Sequence, residues 1–186
     1  MNATDVLSHE HRAIELVLNA MEKFAEHLDS GDADLDPSIA RDCLDFAAGF
    51  ADRCHHAKEE TLLFPLLEER GIPKEGGPIG VMLHDHDQGR ELIRRIRAAL
   101  DRWTSGDESA RADLAQALKC YAILLRSHIM KEDQVLFVAA ESVLTEQDNE
   151  RLIHGFEEIE EEKIGPGVHE QYHAMLDDLE RRCEKL

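Results

Sequence analysis

The stretch Cys54-His55-His56-Ala57-Lys58-Glu59-Glu60-Thr61-Leu62-Leu63-Phe64-Pro65 sets two imidazoles one turn ahead of two carboxylates. Residues four apart lie above one another on an α-helix, so His55 is expected to stack with Glu59 and His56 with Glu60. That is chelating geometry. Leu62, Leu63 and Phe64 follow at once, so the helix that offers ligands also contributes to a core. An imidazole- and carboxylate-rich face turned toward a core is costly unless something positive neutralises it.

The chain partly repeats this stretch. Placing His128 to Phe137 under His55 to Phe64 matches a His, a Lys, a Glu, a second carboxylate, a Leu and a Phe without a gap. Two helices therefore offer the same HxxxE bite. Each is preceded by a helix with a histidine of its own, in Glu10-His11-Arg12 and in Asp85-His86-Asp87. Self-similarity on this scale indicates two helix pairs facing each other, each supplying half of a shared site.

A length of 186 residues suits one sizeable core, so a single domain over 1–186 is expected, with a four-helix bundle in 1–141 and a helical extension in 142–186. The formal charge of −19 argues against a nucleic-acid phosphate surface, which needs basic patches. No 20-residue apolar run and no signal-peptide pattern at the N-terminus occur, so a cytosolic protein without a membrane anchor is expected. Cys43, Cys54, Cys120 and Cys183 are scattered without a CxxC, which suggests neither a disulfide framework nor a zinc ribbon. They read as reduced, helix-buried residues, with Cys54 the one nearest to the paired histidines.

Periodicity and breakers predict helices over about 4–27, 38–70, 79–103 and 109–141, then to about 163 from a cap at Thr145, and over 168–185. Leu7, His11, Ile14, Leu18 and Met21 form the inward line of the first, which places His11 inside and His9 elsewhere. In the third, Met82, His86, Gly89, Ile93 and Ile96 make His86 the inward candidate in preference to His84. Leu114, Leu118, Tyr121, Leu125, His128, Glu132 and Val135 line the fourth. Pro65 predicts a bend in the second, because its missing amide frees the carbonyl of Thr61. Four alternating helices with short connections make an all-α, up-down-up-down antiparallel bundle, with one or two added C-terminal helices.

The last helix contains His169-Glu170-Gln171-Tyr172-His173, which fits the HExxH pattern of zinc hydrolases. Chance matches are common in a chain rich in His and Glu. Only thirteen residues follow His173, without the downstream ligand that such enzymes need. The zinc-hydrolase reading is a remote alternative, and a surface metal site or simple packing suits His169 and His173 better.

Taken as a set, Glu10-His11-Arg12, His55 to Glu60 before Leu63-Phe64-Pro65, Asp85-His86 with Gly89-Arg90, and His128 to Asp133 before Leu136-Phe137 resemble the hemerythrin-like, or HHE cation-binding, domain. The resemblance covers roughly the first 140 residues, and the C-terminal extension is similar to that of a bacterial subgroup. It implies a four-helix bundle around a non-haem di-iron centre, oxo- or hydroxo-bridged, in which His11, His55, Glu59, His86, His128 and Glu132 match family ligand positions. Oxygen carriers of the family have an HxxxH pair on the third helix, but here Met82 stands four before His86, and His56 is the candidate replacement. Either Glu132 or Asp133 could bridge on the fourth helix, and Glu60 is equally open on the second.

The donor set supports this chemistry on separate grounds. Imidazoles and carboxylates without thiolates suit iron, manganese or zinc, and zinc alone would use fewer ligands than are offered. A ferritin-like plan needs ExxH on two helices, and only Glu170 to His173 supplies one. The expected function is metal binding by a di-iron protein that binds or senses dioxygen, nitric oxide or iron. The alternative is an enzyme that scavenges peroxide or other oxidants in a catalase-like way, and a third reading is a metal-stabilised scaffold.

Overall fold

The computed structural model describes residues 2–32, 34–163, 165 and 168–186, apart from the side chains of 168–170 and 173. Helix α1 spans Ala3–Ser30, opened by the Asn2 amide donating to Asp5 at 2.7 Å and closed by Gly31 at φ 77°, a conformation that favours glycine. It runs three residues past the expected end at His27. Helix α2 covers residues 37–69, with Asp36 capping the Ser38 amide at 2.9 Å and Pro37 in the first turn. Helix α3 is Pro78–Thr104, and α4 covers residues 110–143. Helices α5, Glu146–Lys163, and α6, Val168–Cys183, complete the all-helical chain.

Two of these helices are not uniformly α-helical. In α2 the winding widens to a π-helix over Ala47–His56 and again over Glu59–Leu63, and in α4 over Glu132–Leu136. The carbonyls of Glu59 and Glu132 each accept from the amide five residues on, at Phe64 and Phe137. The irregularity expected at Pro65 therefore takes the form of wide turns ahead of it. Such π segments inside α-helices often mark functional sites.

The π turn in α4 also corrects one inward position. Val135 was expected to face the core, yet it is exposed, while Leu136 is fully buried. An extra residue per turn rotates everything downstream, so the straight 3.6-residue count fails past Glu132.

The four long helices form the up-down-up-down bundle, with α1 against α2 and α4, and α3 against α2 and α4. Apolar residues gather in two clusters. One holds Ile14, Leu18, Met21, Ile93, Ile96, Leu118 and Tyr121, the other Leu7, Leu63, Phe64, Ile79, Met82, Leu136 and Phe137. Between them lies a buried polar layer of His11, His55, His56, Glu59, His86, His128 and Glu132. Helix α6 packs on α1 and α2, and α5 packs on α1 and the wide turns of α2. Gly155 makes the close approach of α5 feasible, because a Cβ there would meet the Leu62 side chain at 2.7 Å.

Candidate metal centre

Each long helix sends imidazoles inward at one level. His11 comes from α1, His55 and His56 from α2, His86 from α3 and His128 from α4. Glu59 and Glu132 start the wide turns of α2 and α4 and point into the same layer. Two four-residue groups result, one of His56, Glu59, His86 and His128, the other of His11, His55, Glu59 and Glu132. Within each group the ligand atoms lie within 4.8 Å of one another. Glu59 belongs to both.

Both carboxylates face two imidazoles. Glu59 turns Oε1 toward His55 Nε2 at 3.5 Å and Oε2 toward His86 Nε2 at 3.4 Å. Glu132 Oε2 stands 3.2 Å from the Nε2 of both His11 and His128. All four oxygens are buried and lack a hydrogen-bond partner among the described residues.

The outer nitrogens are all turned to acids. His11 Nδ1 lies 2.8 Å from Asp133, His55 Nδ1 2.8 Å from Glu10, His86 Nδ1 2.7 Å from Glu60, and His128 Nδ1 3.4 Å from Asp85. A carboxylate only accepts, so Nδ1 carries the hydrogen and each of these rings, when neutral, aims an Nε2 lone pair inward. His11 Nε2 and His55 Nε2 are 3.1 Å apart, and His86 and His128 meet at 3.3 Å. Facing lone pairs repel unless a cation or a proton sits between them. Cations hold the acids in turn, with Arg12 on Asp133, Lys58 on Glu10, Arg90 on Glu60 and Lys131 on Asp85. Partners of this kind fix ring orientation and raise the basicity of a ligating histidine.

The electrostatics follow from this layout. Burial opposes a charge on His11, but the hydrogen bond to Asp133 and the negative charges of Glu132 and Glu59 outweigh it and lift the ring to about 9. His128 rises to about 10 against the same opposition, through the charge of Glu132 and the bond to Asp85. Burial and the neighbouring imidazoles of His86 and His128 push His56 well below its ordinary value. Burial would raise Glu10, yet the bond to His55 and the charges of His55 and Lys58 bring it to about 2. In the metal-free chain, protons on His11 and His128 thus balance the carboxylates, while His56 stays neutral.

His56 is the exception among the five rings. Both of its nitrogens are buried and without a hydrogen-bond partner among the described residues, with Asp52 3.6 Å from Nδ1, and its ring stacks on that of His86 at 3.8 Å. The expected stacking of His56 on Glu60 is not realised. The wide turn keeps His55 and His56 both inward, and Glu60 swings out to His86 Nδ1.

Two further candidates take outer places. Asp133 is half-buried and bonds His11 and Ser8, so it supports a ring and lies outside the inner set, as Glu60 does. His84 lies on the exposed side of α3 and pairs with Gln88 at 3.0 Å. His169 and His173 fall outside the described side chains. Cys54 is buried and pushed up to about 12 by burial, which makes it a packing residue with little thiolate.

The sequence reading missed the roles of Glu10, Asp85, Lys58, Lys131, Arg90 and Asp52. A signal was available for some of them. The repeat aligns Lys58 with Lys131, and an acid precedes the histidine in both Glu10-His11 and Asp85-His86.

The family model described as "Hemerythrin HHE cation binding domain" matches residues 2–140. This chain belongs to that family. The match ends before α5 begins, so the last two helices lie beyond the matched segment. Among curated proteins, the chain is 25% identical over 181 residues to "Uncharacterized protein Rv1995" of Mycobacterium tuberculosis, covering 97% of this chain and 70% of that protein. It is 27% identical over 136 residues to "Iron-sulfur cluster repair protein YtfE" of Escherichia coli, covering 71% of this chain and 59% of YtfE. A cation-binding domain and two buried His and Glu clusters that could hold metal ions agree with each other. Among the described residues, no helix is long and apolar enough to cross a membrane.

Proposed function

We propose that this hemerythrin-family chain holds a pair of iron ions and uses them to bind or sense a diatomic ligand, dioxygen or nitric oxide. The observation that supports it best is Glu59, a buried carboxylate whose two unpartnered oxygens face two different imidazole clusters. Leaving that group without a cation is costly, and two metal ions would satisfy both oxygens at once. His56, His86 and His128 would hold one ion, His11 and His55 the other, with Glu59 and Glu132 shared. Nitrogen and oxygen donors without thiolate suit iron, and also manganese or zinc.

Such a pair, when bound, would supply redox electrons and a Lewis-acidic centre for a small ligand. The chain's own residues enclose the layer. Phe137 stacks on His11 at 5.5 Å and Phe64 on His86 at 5.9 Å, closing the layer against bulk water. Glu10, Glu60 and Asp133 hold the Nδ1 protons of His55, His86 and His11, and Asp85 faces Nδ1 of His128, so these four rings present Nε2 inward.

Metal analysis of freshly purified protein tests the reading. Two irons per chain and a visible spectrum that changes reversibly under air or nitric oxide are expected, and an iron-free preparation with one zinc overturns it. Likeness to YtfE favours a second reading, in which the iron serves the repair of iron-sulfur clusters. Iron transfer to a damaged cluster without a reversible spectral change would select it. Rapid oxygen evolution from peroxide would select the scavenging alternative.

A further inference from the structure

We propose that Glu160, on the helix beyond the matched family segment, is a positioning residue for His55 and acts through Lys58 and Glu10. The inference rests on the two-iron reading for its metal-bound consequences. Lys58 is wholly enclosed, with its ammonium 5.7 Å from the centre of the Phe156 ring. Two carboxylates flank it, Glu10 from α1 and Glu160 from α5, the latter at 2.5 Å. Glu10 spends its other oxygen on His55 Nδ1 at 2.8 Å. Four groups thus stand in line from a partly exposed acid to an inward-facing imidazole.

The other helix pair lacks the fourth member. Lys131 binds Asp85, which faces His128, but Asp85 is its sole ion-pair partner among the described residues. The difference comes from α5. Asp148 holds Arg70 through two bonds at 2.9 and 2.7 Å, and Gly155 seats Leu62. Those contacts fix the register that delivers Glu160 to Lys58.

A cation shared by two carboxylates withdraws less charge from either one. With Glu160 present, Glu10 accepts more strongly from the His55 Nδ1–H, and His55 Nε2 becomes a stronger donor. Neutralising Glu160 leaves Lys58 to Glu10 alone and weakens His55. Removing one negative charge near the iron also favours its reduced form.

The test compares Glu160→Gln with Glu161→Gln, an exposed neighbour with the same charge change, and with Glu160→Asp as the conservative variant. In metal-free protein the His55 Nδ1–H is followed by nitrogen-15 imidazole NMR. In protein loaded with ferrous iron, affinity is read by chelator competition and the reduction potential by titration. Glu160→Gln is expected to shift the His55 signal, weaken iron binding about 10-fold and raise the potential. Glu161→Gln should do none of these, and Glu160→Asp should recover part of the effect. Equal effects of the two glutamine variants, or a His55 signal indifferent to Glu160, would overturn the inference. An iron pair with an indifferent His55 sinks this inference alone, whereas a responsive His55 in a chain that binds no iron sinks the two-iron reading and leaves the positioning role standing.

Discussion

In the α1/α2 pair Lys58 is enclosed between Glu10 and Glu160, whereas in the α3/α4 pair its counterpart Lys131 is 32% exposed and, among the described residues, ion-paired with Asp85 alone. The same pairs differ again one residue after the repeated histidine. His56 follows His55, while Ile129 follows His128. Otherwise the two halves correspond closely. His55 faces Glu10 as His128 faces Asp85, His11 faces Asp133 as His86 faces Glu60, and Phe64 and Phe137 each cap a ring of the opposite pair. A repeated motif therefore builds the frame of the site, and the two departures make its ends unequal. One cluster gains a third imidazole from His56, and the other gains a buried charge relay capped by the C-terminal extension.

The sharpest way to break the comparison is to remove what both halves share. Glu59→Ala should abolish retention of both metal ions, whereas Asp133→Ala, which takes away only a ring support, should cost about 10- to 100-fold in affinity. Metal content after gel filtration distinguishes them, and equal losses would deny Glu59 its bridging place.

Unequal burial of the two lysines predicts unequal costs. Lys58→Met strands Glu10 in the interior and should destabilise by about 3–5 kcal/mol. Lys131→Met, at a partly exposed pair, should cost at most about 1 kcal/mol. Chemical denaturation measures both, and similar values would erase the distinction drawn here.

Copying the second half into the first is the next test. His56→Ile removes two unpartnered buried nitrogens, so the metal-free chain should gain about 1–3 kcal/mol. The same change removes an imidazole from its cluster and should weaken metal binding. Opposite signs in the two forms are the expected signature, read by thermal melting with and without iron.

The last test concerns pH. His11 and His128 are raised from 6.5 to about 9 and about 10 in the metal-free chain, against burial, by Asp133, Glu132 and Asp85. Groups raised in this way stabilise the fold fully below pH 6.5, and the contribution is lost as pH climbs through 9 and 10. Metal-free protein should therefore melt progressively lower across that window. Bound metal replaces those protons, so the loaded form should stay nearly level and binding should release protons. A metal-free profile that is flat from pH 6.5 to 10 would contradict the arrangement.

The all-α bundle, the inward lines of α1 and α3, and the burial of seven His and Glu side chains from His11 to Glu132 in one layer were legible in the sequence. Helical periodicity and the gapless repeat are local patterns, and each inward histidine sits on an apolar stripe that must be buried somewhere. The sequence could not separate Glu132 from Asp133 or Glu59 from Glu60. Those neighbours differ only in direction, and direction is set by the π turns, which no count of 3.6 residues anticipates. The same wide turns exposed Val135 and kept His55 and His56 together.

Composition and spacing thus determined which residues could be ligands and which helices would carry them, because amphipathic helices leave few choices of face. Tertiary structure decided which carboxylates look inward and which support a ring. It also decided that Lys58 is sealed beneath α5 while Lys131 meets solvent, since that depends on Glu160, 102 residues further along the chain, reaching back to cover one half of a near-symmetric site.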